Sequence, residues 1–306
     1  MKAVLTGATG FVGAYLLKHL EQTTVLTRNP EQAAKKLPAG ANPVAWNTTK
    51  NPAPTSALNG ADVVFHLAGE PVAEGRWSTA KKAAIRESRV AGTRHLVKGL
   101  EACEQRPRVL VSTSAVGYYG DRGDEVLTEA SAPANDFLAE VCVEWEREAM
   151  RAEQLGIRVV TIRTGIVLGK EGALAKMMFP FKMGVGGPLG NGKNWMPWIH
   201  VADLASLYMH AATNDSIRGP MNGSAPNPVI NKDFTKAFAA ALHRPAFLPI
   251  PYFGLRILFG EFAKILFASQ RVMPTVAERT GFKFQYPEIG PALEQIINGD
   301  AKSQAA

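Results

Sequence analysis

The segment TGATGFVG at residues 6–13 constrains the fold more than any other part of the chain. An apolar run, Ala3-Val4-Leu5, leads straight into Gly7, Gly10 and Gly13, and a helix-compatible stretch at 14–20 follows at once. A buried strand that turns on glycines into a helix brings bare backbone up to a phosphate. In such a turn Gly7 allows the reversal, Gly10 clears the approach of a pyrophosphate, and Gly13 lets the helix pack close to the strand. Glycines alone make only a tight turn. With a strand before them and a helix after, they read as a dinucleotide site.

The next strand sharpens this. Residues 23–27 end at Arg28, a position where NAD-preferring folds place an acidic side chain on the ribose hydroxyls. An arginine there suits the additional 2′-phosphate of NADP through charge-assisted hydrogen bonds. The plainer alternative is a solvated arginine at a strand end.

Composition narrows the class. The chain has 306 residues, 46% of them hydrophobic, enough to bury a full core in one large domain or two joined ones. Its net charge of +7 (34 basic minus 27 acidic) is scattered, and the densest run, Lys81, Lys82, Arg86 and Arg89, has the spacing of a solvated helix face. An enzyme binding an anionic cofactor accounts for that balance without nucleic acid. The two cysteines, Cys103 and Cys142, offer no metal-ligand spacing and point to a reducing, cytoplasmic setting without disulfides. The start of the chain does not read as a secretory signal. The most membrane-like stretch, 253–267, is interrupted by Arg256, Glu261 and Lys264 on one side. It reads as an amphipathic helix for core packing or a subunit contact, as in a homodimer, and not as a membrane span.

Short apolar runs alternate with helical stretches through the first half. Strands are expected at 63–68, 108–112 and 157–162, and helices at 79–104 and 136–154, the latter with Asn135 as N-cap and Gly156 at its end. Strands separated by helices at this pitch imply an α/β fold, a Rossmann-type doubly wound parallel sheet. Residues 1–169 form the cofactor-binding domain in this reading, with 199–220 returning to it. Residues 170–198 and 221–298 make a smaller C-terminal substrate lobe, and 299–306 a flexible tail. The glycine-rich stretch 184–198 is expected to be a mobile lid in which Trp195 offers a flat apolar face to a ligand.

The glycine motif, HLAG at 66–69, STSAVGYYG at 112–120, IRTGIVLG at 162–169 and WIHVADLA at 198–205 come in a fixed order. Together they resemble the extended short-chain dehydrogenase/reductase superfamily, which includes sugar-nucleotide epimerases and dehydratases. FLAEVCVEWE at 137–146, GGPLGNGKNWMPWIH at 186–200, NGSAPNPVINKDF at 222–234 and GFKFQYPEIGPAL at 281–293 resemble an atypical epimerase-like subgroup. Its members have a C-terminal domain of unknown function, and some carry a cell-division-inhibitor-like label. The resemblance implies that Thr9, Gly10, Phe11 and Val12 sit on the pyrophosphate and that Thr27 and Arg28 hold the adenosine ribose and its phosphate. It places Leu67, Ala68 and Gly69 along the riboses, Arg89 reaching back to the phosphates, and Val167 near the nicotinamide.

The superfamily moves protons with a Ser or Thr plus a Tyr and a Lys four residues apart on one helix, the lysine lowering the tyrosine pKa. Four residues after Tyr15, Tyr118, Tyr119, Tyr208, Tyr252 and Tyr286 stand His19, Arg122, Gly123, Ala212, Arg256 and Gly290. The pair is absent. Where it belongs, this chain has Phe137 or Leu138 and Val141 or Cys142, with the cysteine expected to be buried and inert. Ser114 remains as a donor to a substrate carbonyl or as a strand-end cap, with Tyr118 and Tyr119 as phenols beyond it, or as packing. His200 is expected to make a structural hydrogen bond. Two functions follow. The first is an NADP-binding oxidoreductase or epimerase-like enzyme for a small carbonyl or hydroxyl substrate. The alternative is a non-catalytic NADP(H)-binding sensor or scaffold.

Overall fold

The computed structural model describes residues 1–303. Its strands are β1 Lys2–Thr6, β2 Gln22–Thr27, β3 Ala41–Ala45, β4 Val63–His66, β5 Val109–Ala115, β6 Val126–Leu127, β7 Arg158–Thr164, β8 Ile166–Leu168, β9 Trp195–Met196, β10 Trp198–His200, β11 Gly219–Gly223, β12 Val229–Ile230 and β13 Arg271–Val272. Seven form one parallel sheet in the order β11-β7-β5-β4-β1-β2-β3. Strand order reverses direction at β1, so the crevice beyond its carboxyl end, between β1 and β4, is where a doubly wound sheet opens to a ligand.

The central strands are apolar on both faces because each face is covered. Along β1, Ala3 and Leu5 join one core and Val4 the other, and β4 divides Val63 and Phe65 from Val64 in the same way. The first core is closed by the helices Phe11–Leu17 and Val201–Thr213, and the second by Thr79–Glu101 and Phe137–Met150. A third cluster, built on Trp198, Phe181, Phe234, Phe238, Leu293 and Ile296, lies in the C-terminal half. The helix Val201–Thr213 leads back onto the sheet, and β11 becomes its last strand.

Several local expectations are corrected. Asp136, not Asn135, caps the Phe137 helix, its Oδ1 accepting from the backbone N–H groups of Leu138 and Ala139 at 2.9 and 3.0 Å. That helix ends at Met150 and tightens into a 3-10 turn, Arg151–Leu155, before Gly156 at φ 80°. The amphipathic stretch 253–267 is broken at Gly260 (φ 64°) into Tyr252–Phe259 and Ala263–Phe267, and it leaves Phe253, Ile257 and Leu258 about two-thirds exposed. The helix Ile289–Ser303 runs into the segment expected as a flexible tail, and residues 304–306 lie outside the described residues. Among the described residues no helix is long and apolar enough to cross a membrane.

Candidate functional site

At the end of β1 the backbone turns at Gly7 with φ 73°, in the left-handed region that favours glycine. A Cβ there would sit 2.9 Å from the Leu67 carbonyl carbon, and one on Gly13 only 2.3 Å from the Gly7 oxygen. Gly7 therefore lets the ends of β1 and β4 meet, and Gly13 seats the helix against the turn. Gly10 is exposed and extended, and it donates to the Gly7 carbonyl at 3.0 Å. A Cβ on Gly10 would meet only that oxygen, at 3.2 Å, and otherwise face open space. Thr9 is exposed beside it. The Phe11 ring turns away toward the chain beyond β8, where a Cβ on Gly169 would strike it at 2.4 Å. Val12, Leu67 and Val167 pack against one core, which brings the glycine turn and the ends of β4 and β8 together. Ala68 and Gly69 continue from Leu67 as irregular chain, and Gly69 is exposed.

The turn is held by a residue that sequence reasoning passed over. Thr6 Oγ1 accepts from the backbone N–H groups of Leu67 (3.1 Å) and Ala68 (3.0 Å), and it lies 2.8 Å from His66 Nδ1. With two donors already aimed at this oxygen, its own proton goes to Nδ1, so the imidazole proton sits on Nε2 and is donated to Thr93 Oγ1 at 3.0 Å. Complete burial keeps this ring neutral and pulls its pKa down to about 4. Thr6 and His66 stand inside the two motifs that marked the site. Their partnership appears only when β1 and β4 lie side by side.

Register places Thr6 opposite Leu26, so Thr27 and Arg28 leave β2 at the same carboxyl edge as the glycine turn. Thr27 Oγ1 accepts from the Asn29 N–H at 3.4 Å. Arg28 is exposed and pairs with no acidic group among the described residues. Arg89, on the Thr79 helix, packs its guanidinium beside Gly69 and 5.1 Å over the Trp145 ring.

The three expected catalytic residues fare differently. Ser114 is fully buried, and its hydroxyl donates to Glu146 Oε1 at 2.6 Å. Tyr119 is also fully buried; its oxygen accepts from Arg163 Nη1 at 3.0 Å and lies 2.7 Å from Asn222 Oδ1. Burial pushes its pKa up to about 12. The Tyr119 hydroxyl, expected as a phenol for the site or as packing, is thus tied to Arg163 and Asn222 inside the protein. Tyr118 is half-buried, its ring 3.5 Å beneath the Arg163 guanidinium, and its hydroxyl has no hydrogen-bond partner among the described residues. Cys142 is buried, donates weakly to the Ala115 carbonyl at 3.7 Å, and is pushed up to about 12 by burial, so it stays a neutral thiol.

Glu146, which the sequence reading did not single out, organises this edge. Its carboxylate receives Ser114 and takes both Arg163 Nε and Nη2 at 2.9 Å. Burial works against the Arg163 charge, but the fork-to-carboxylate pairing outweighs it and raises the guanidinium pKa. His200 makes a structural hydrogen bond, to Gln295 Oε1 at 3.0 Å, and its Nδ1 caps the Val201 helix.

The expected lid is tied down instead. Leu189 N donates to Asn231 Oδ1 at 2.7 Å, Gly190 N to Ile250 O at 2.9 Å, and Gly187 lies so close to Leu248 that a Cβ would stand 1.7 Å from its carbonyl oxygen. Trp195 is not a free face. Its Nε1 donates to Asp124 at 2.8 Å and the Arg271 guanidinium lies 4.6 Å over its ring.

Residues 3–222 match the model of the NAD dependent epimerase/dehydratase family, and residues 250–296 match a domain of unknown function, DUF1731. The chain is 41% identical to "Epimerase family protein SDR39U1 homolog, chloroplastic" of Arabidopsis thaliana, over 97% of this chain and 87% of that protein. It is 38% identical to epimerase family protein YfhF of Bacillus subtilis, over 97% of this chain and 98% of that one. The crystal structure of human epimerase family protein SDR39U1 (isoform 2) with NADPH superposes with a TM-score of 0.86 at 31% identity, covering 97% of this chain and 99% of that chain. Glycine turn, sheet order and sequence agree: the chain belongs to the NAD-dependent epimerase/dehydratase family.

Proposed function

We propose that this protein binds NADPH and acts as an oxidoreductase or epimerase-like enzyme on a small carbonyl or hydroxyl compound. The observation that carries the reading is the open backbone turn at Gly7, Gly10 and Gly13, with exposed Thr9 beside it and an exposed Arg28 on the same edge. This surface suits a dinucleotide with a 2′-phosphate, as does the NADPH carried by the human relative. Backbone at Thr9, Gly10, Phe11 and Val12 would hold the pyrophosphate, Thr27 and Arg28 the phosphorylated ribose, and Leu67, Ala68, Gly69 and Val167 the remainder. The bound cofactor supplies a hydride. The chain's own residues must position the substrate and move a proton, and of the three expected donors Tyr118 alone has a hydroxyl without a hydrogen-bond partner among the described residues. Two free cysteines accord with a reducing compartment such as the cytoplasm. NADPH titration followed by NADPH consumption against a panel of carbonyl compounds tests the reading; no binding would overturn it.

Ser114 and Cys142 favour the second reading, a sensor or scaffold with little turnover. One hydroxyl is spent on Glu146, and Val141 or Cys142, neither of which supplies a base, stands where a lysine is usual. Tight NADPH binding without consumption across the panel would select it.

Two substitutions probe the cofactor surface. Arg28→Ala should weaken NADPH binding by about 1.5–3 kcal/mol, the range for a hydrogen bond to a charged group, and leave NADH binding nearly unchanged. Equal losses for both cofactors would remove Arg28 from the 2′-phosphate. Gly10→Val should leave the protein folded, since its side chain meets little but space, yet weaken NADPH about 100-fold (~2.7 kcal/mol) by occupying the pyrophosphate's approach. Retained affinity in a folded variant would show that the pyrophosphate lies elsewhere.

A further inference from the structure

The positive charge is scattered along the sequence, but the sheet gathers part of it in one place. Arg158 opens β7, and Arg108 and Arg218 directly precede β5 and β11. These strands are neighbours, β5 beside β7 and β7 beside β11, and all three run parallel. Their pairing sets three arginines together at the amino edge of the sheet, opposite the edge that carries the glycine turn. The Arg158 N–H donates to the Arg108 carbonyl at 3.0 Å, which fixes the first two in register. A cavity of about 410 Å³ opens there, lined by the three arginines together with Glu153 and Asp215. That volume suits a small ligand.

The guanidinium groups have different duties. Arg158 is 7% exposed and holds the fold together. Its Nη1 donates to the carbonyl oxygens of Ala211 at 2.8 Å and Ile217 at 2.9 Å, and its Nη2 to that of Ala212 at 2.8 Å. It thereby places a cation at the C-terminal end of the Val201 helix, where carbonyls lack helical partners. Asp215 balances it only weakly, with Oδ1 3.4 Å from Nη2 on a side chain that is 82% exposed. Arg108 and Arg218 are exposed, and neither makes an ion pair among the described residues, with Glu153 or with any other acid. Burial lowers the Arg158 pKa, Asp215 opposes this, and the like charges of Arg218 and Arg108 lower it further. Like charges held around a buried cation oppose folding, and an anion bound between them relieves the repulsion.

We propose that this cavity is a second anion site, for a small polyvalent anion of the phosphate class. Arg108 and Arg218 supply guanidinium forks that match phosphate oxygens, and Arg158 supplies a fixed, buried charge. The site does not rest on the NADPH reading, because it lies at the opposite edge and uses none of the cofactor residues.

Calorimetric titration with inorganic pyrophosphate tests this, at fixed ionic strength, without divalent cations, and with sulfate as the control anion. Pyrophosphate should bind the wild-type protein at least about tenfold more tightly than sulfate. Equal affinities would mean charge screening only and overturn the proposal, as would no binding of pyrophosphate at all. Arg108→Gln with Arg218→Gln should weaken pyrophosphate at least about tenfold, in the range of hydrogen bonds to a charged group, and leave NADPH affinity within about twofold. Unchanged pyrophosphate affinity in that variant would remove both arginines from the site. Asp215→Asn takes a negative charge off the lining and should tighten pyrophosphate about two- to threefold, a gain that a misfolded variant cannot give. No gain there would show that the charge of this cavity does not draw the anion, and the proposal would fall. Gly10→Val, at the far edge, should change pyrophosphate affinity less than about twofold. Binding abolished by Gly10→Val but kept by the double arginine variant would assign the anion to the glycine turn and overturn this site, while supporting the cofactor reading.

Discussion

Glu146→Ala should lower folding stability by about 3–5 kcal/mol, the loss that follows when a buried pair keeps one partner. Arg163 is 3% exposed and gives Glu146 two 2.9 Å hydrogen bonds, so the substitution strands a guanidinium inside the protein. Ser114 loses its acceptor in the same step. Arg163 also donates to Tyr119 and to the Glu129 carbonyl, at 3.0 and 3.1 Å, so it has no easy route to water. The double substitution Glu146→Leu with Arg163→Met should recover much of the loss, because it removes both charges together. Denaturant unfolding of the three proteins measures this. A loss below about 1 kcal/mol for Glu146→Ala would mean that the pair behaves like a solvated surface bridge.

Acid should destabilise the protein well before its carboxylates are protonated. His66 and His200 are held neutral by burial, which lowers each pKa from the ordinary 6.5 to about 4. The unfolded chain binds these protons more readily than the native one, so their contribution is fully present above about pH 6.5 and falls as pH drops toward 4. Each ring can cost roughly 3 kcal/mol across that window. His210, also lowered by burial, acts in the same direction. His66→Gln should remove about one proton from the uptake on unfolding at pH 5. An unchanged pH slope in that variant would show that His66 is not a source of acid sensitivity.

The sheet was legible because buried parallel strands announce themselves. The strands beginning at Val63, Val109 and Arg158 each carry a short apolar run, VVF, VLV and VV, and are buried almost throughout, and the intervening segments have helical length. The glycine turn was legible for a different reason: steric demand at Gly7 and Gly13 is local, between residues a few positions apart or at the next strand's end. Partnerships made by packing were not legible. Glu146 sits on a helix and Arg163 on a strand, and nothing in either segment alone says that they face one another. The stretch 184–198 misled because glycine was read as freedom. Contacts from Asn231, Leu248 and Ile250 convert the same glycines into sites of close approach. Tyr118 and Tyr119 are adjacent in sequence, yet one hydroxyl is held by Arg163 and the other has no hydrogen-bond partner among the described residues.

The outermost strand has a consequence for biosynthesis. β11 pairs with β7 through Gly219–Gly223, but a long excursion through β8, β9, β10 and two helices separates them along the chain. As the chain emerges from the ribosome, β7 waits with one edge unpaired, and that edge carries the apolar run Val159, Val160 and Ile162. Open edges of this kind recruit other strands, and pairings distant in sequence form slowly. The nascent protein is thus most prone to self-association after β7 is made and before Gly223 arrives, an interval in which a chaperone has the most to protect.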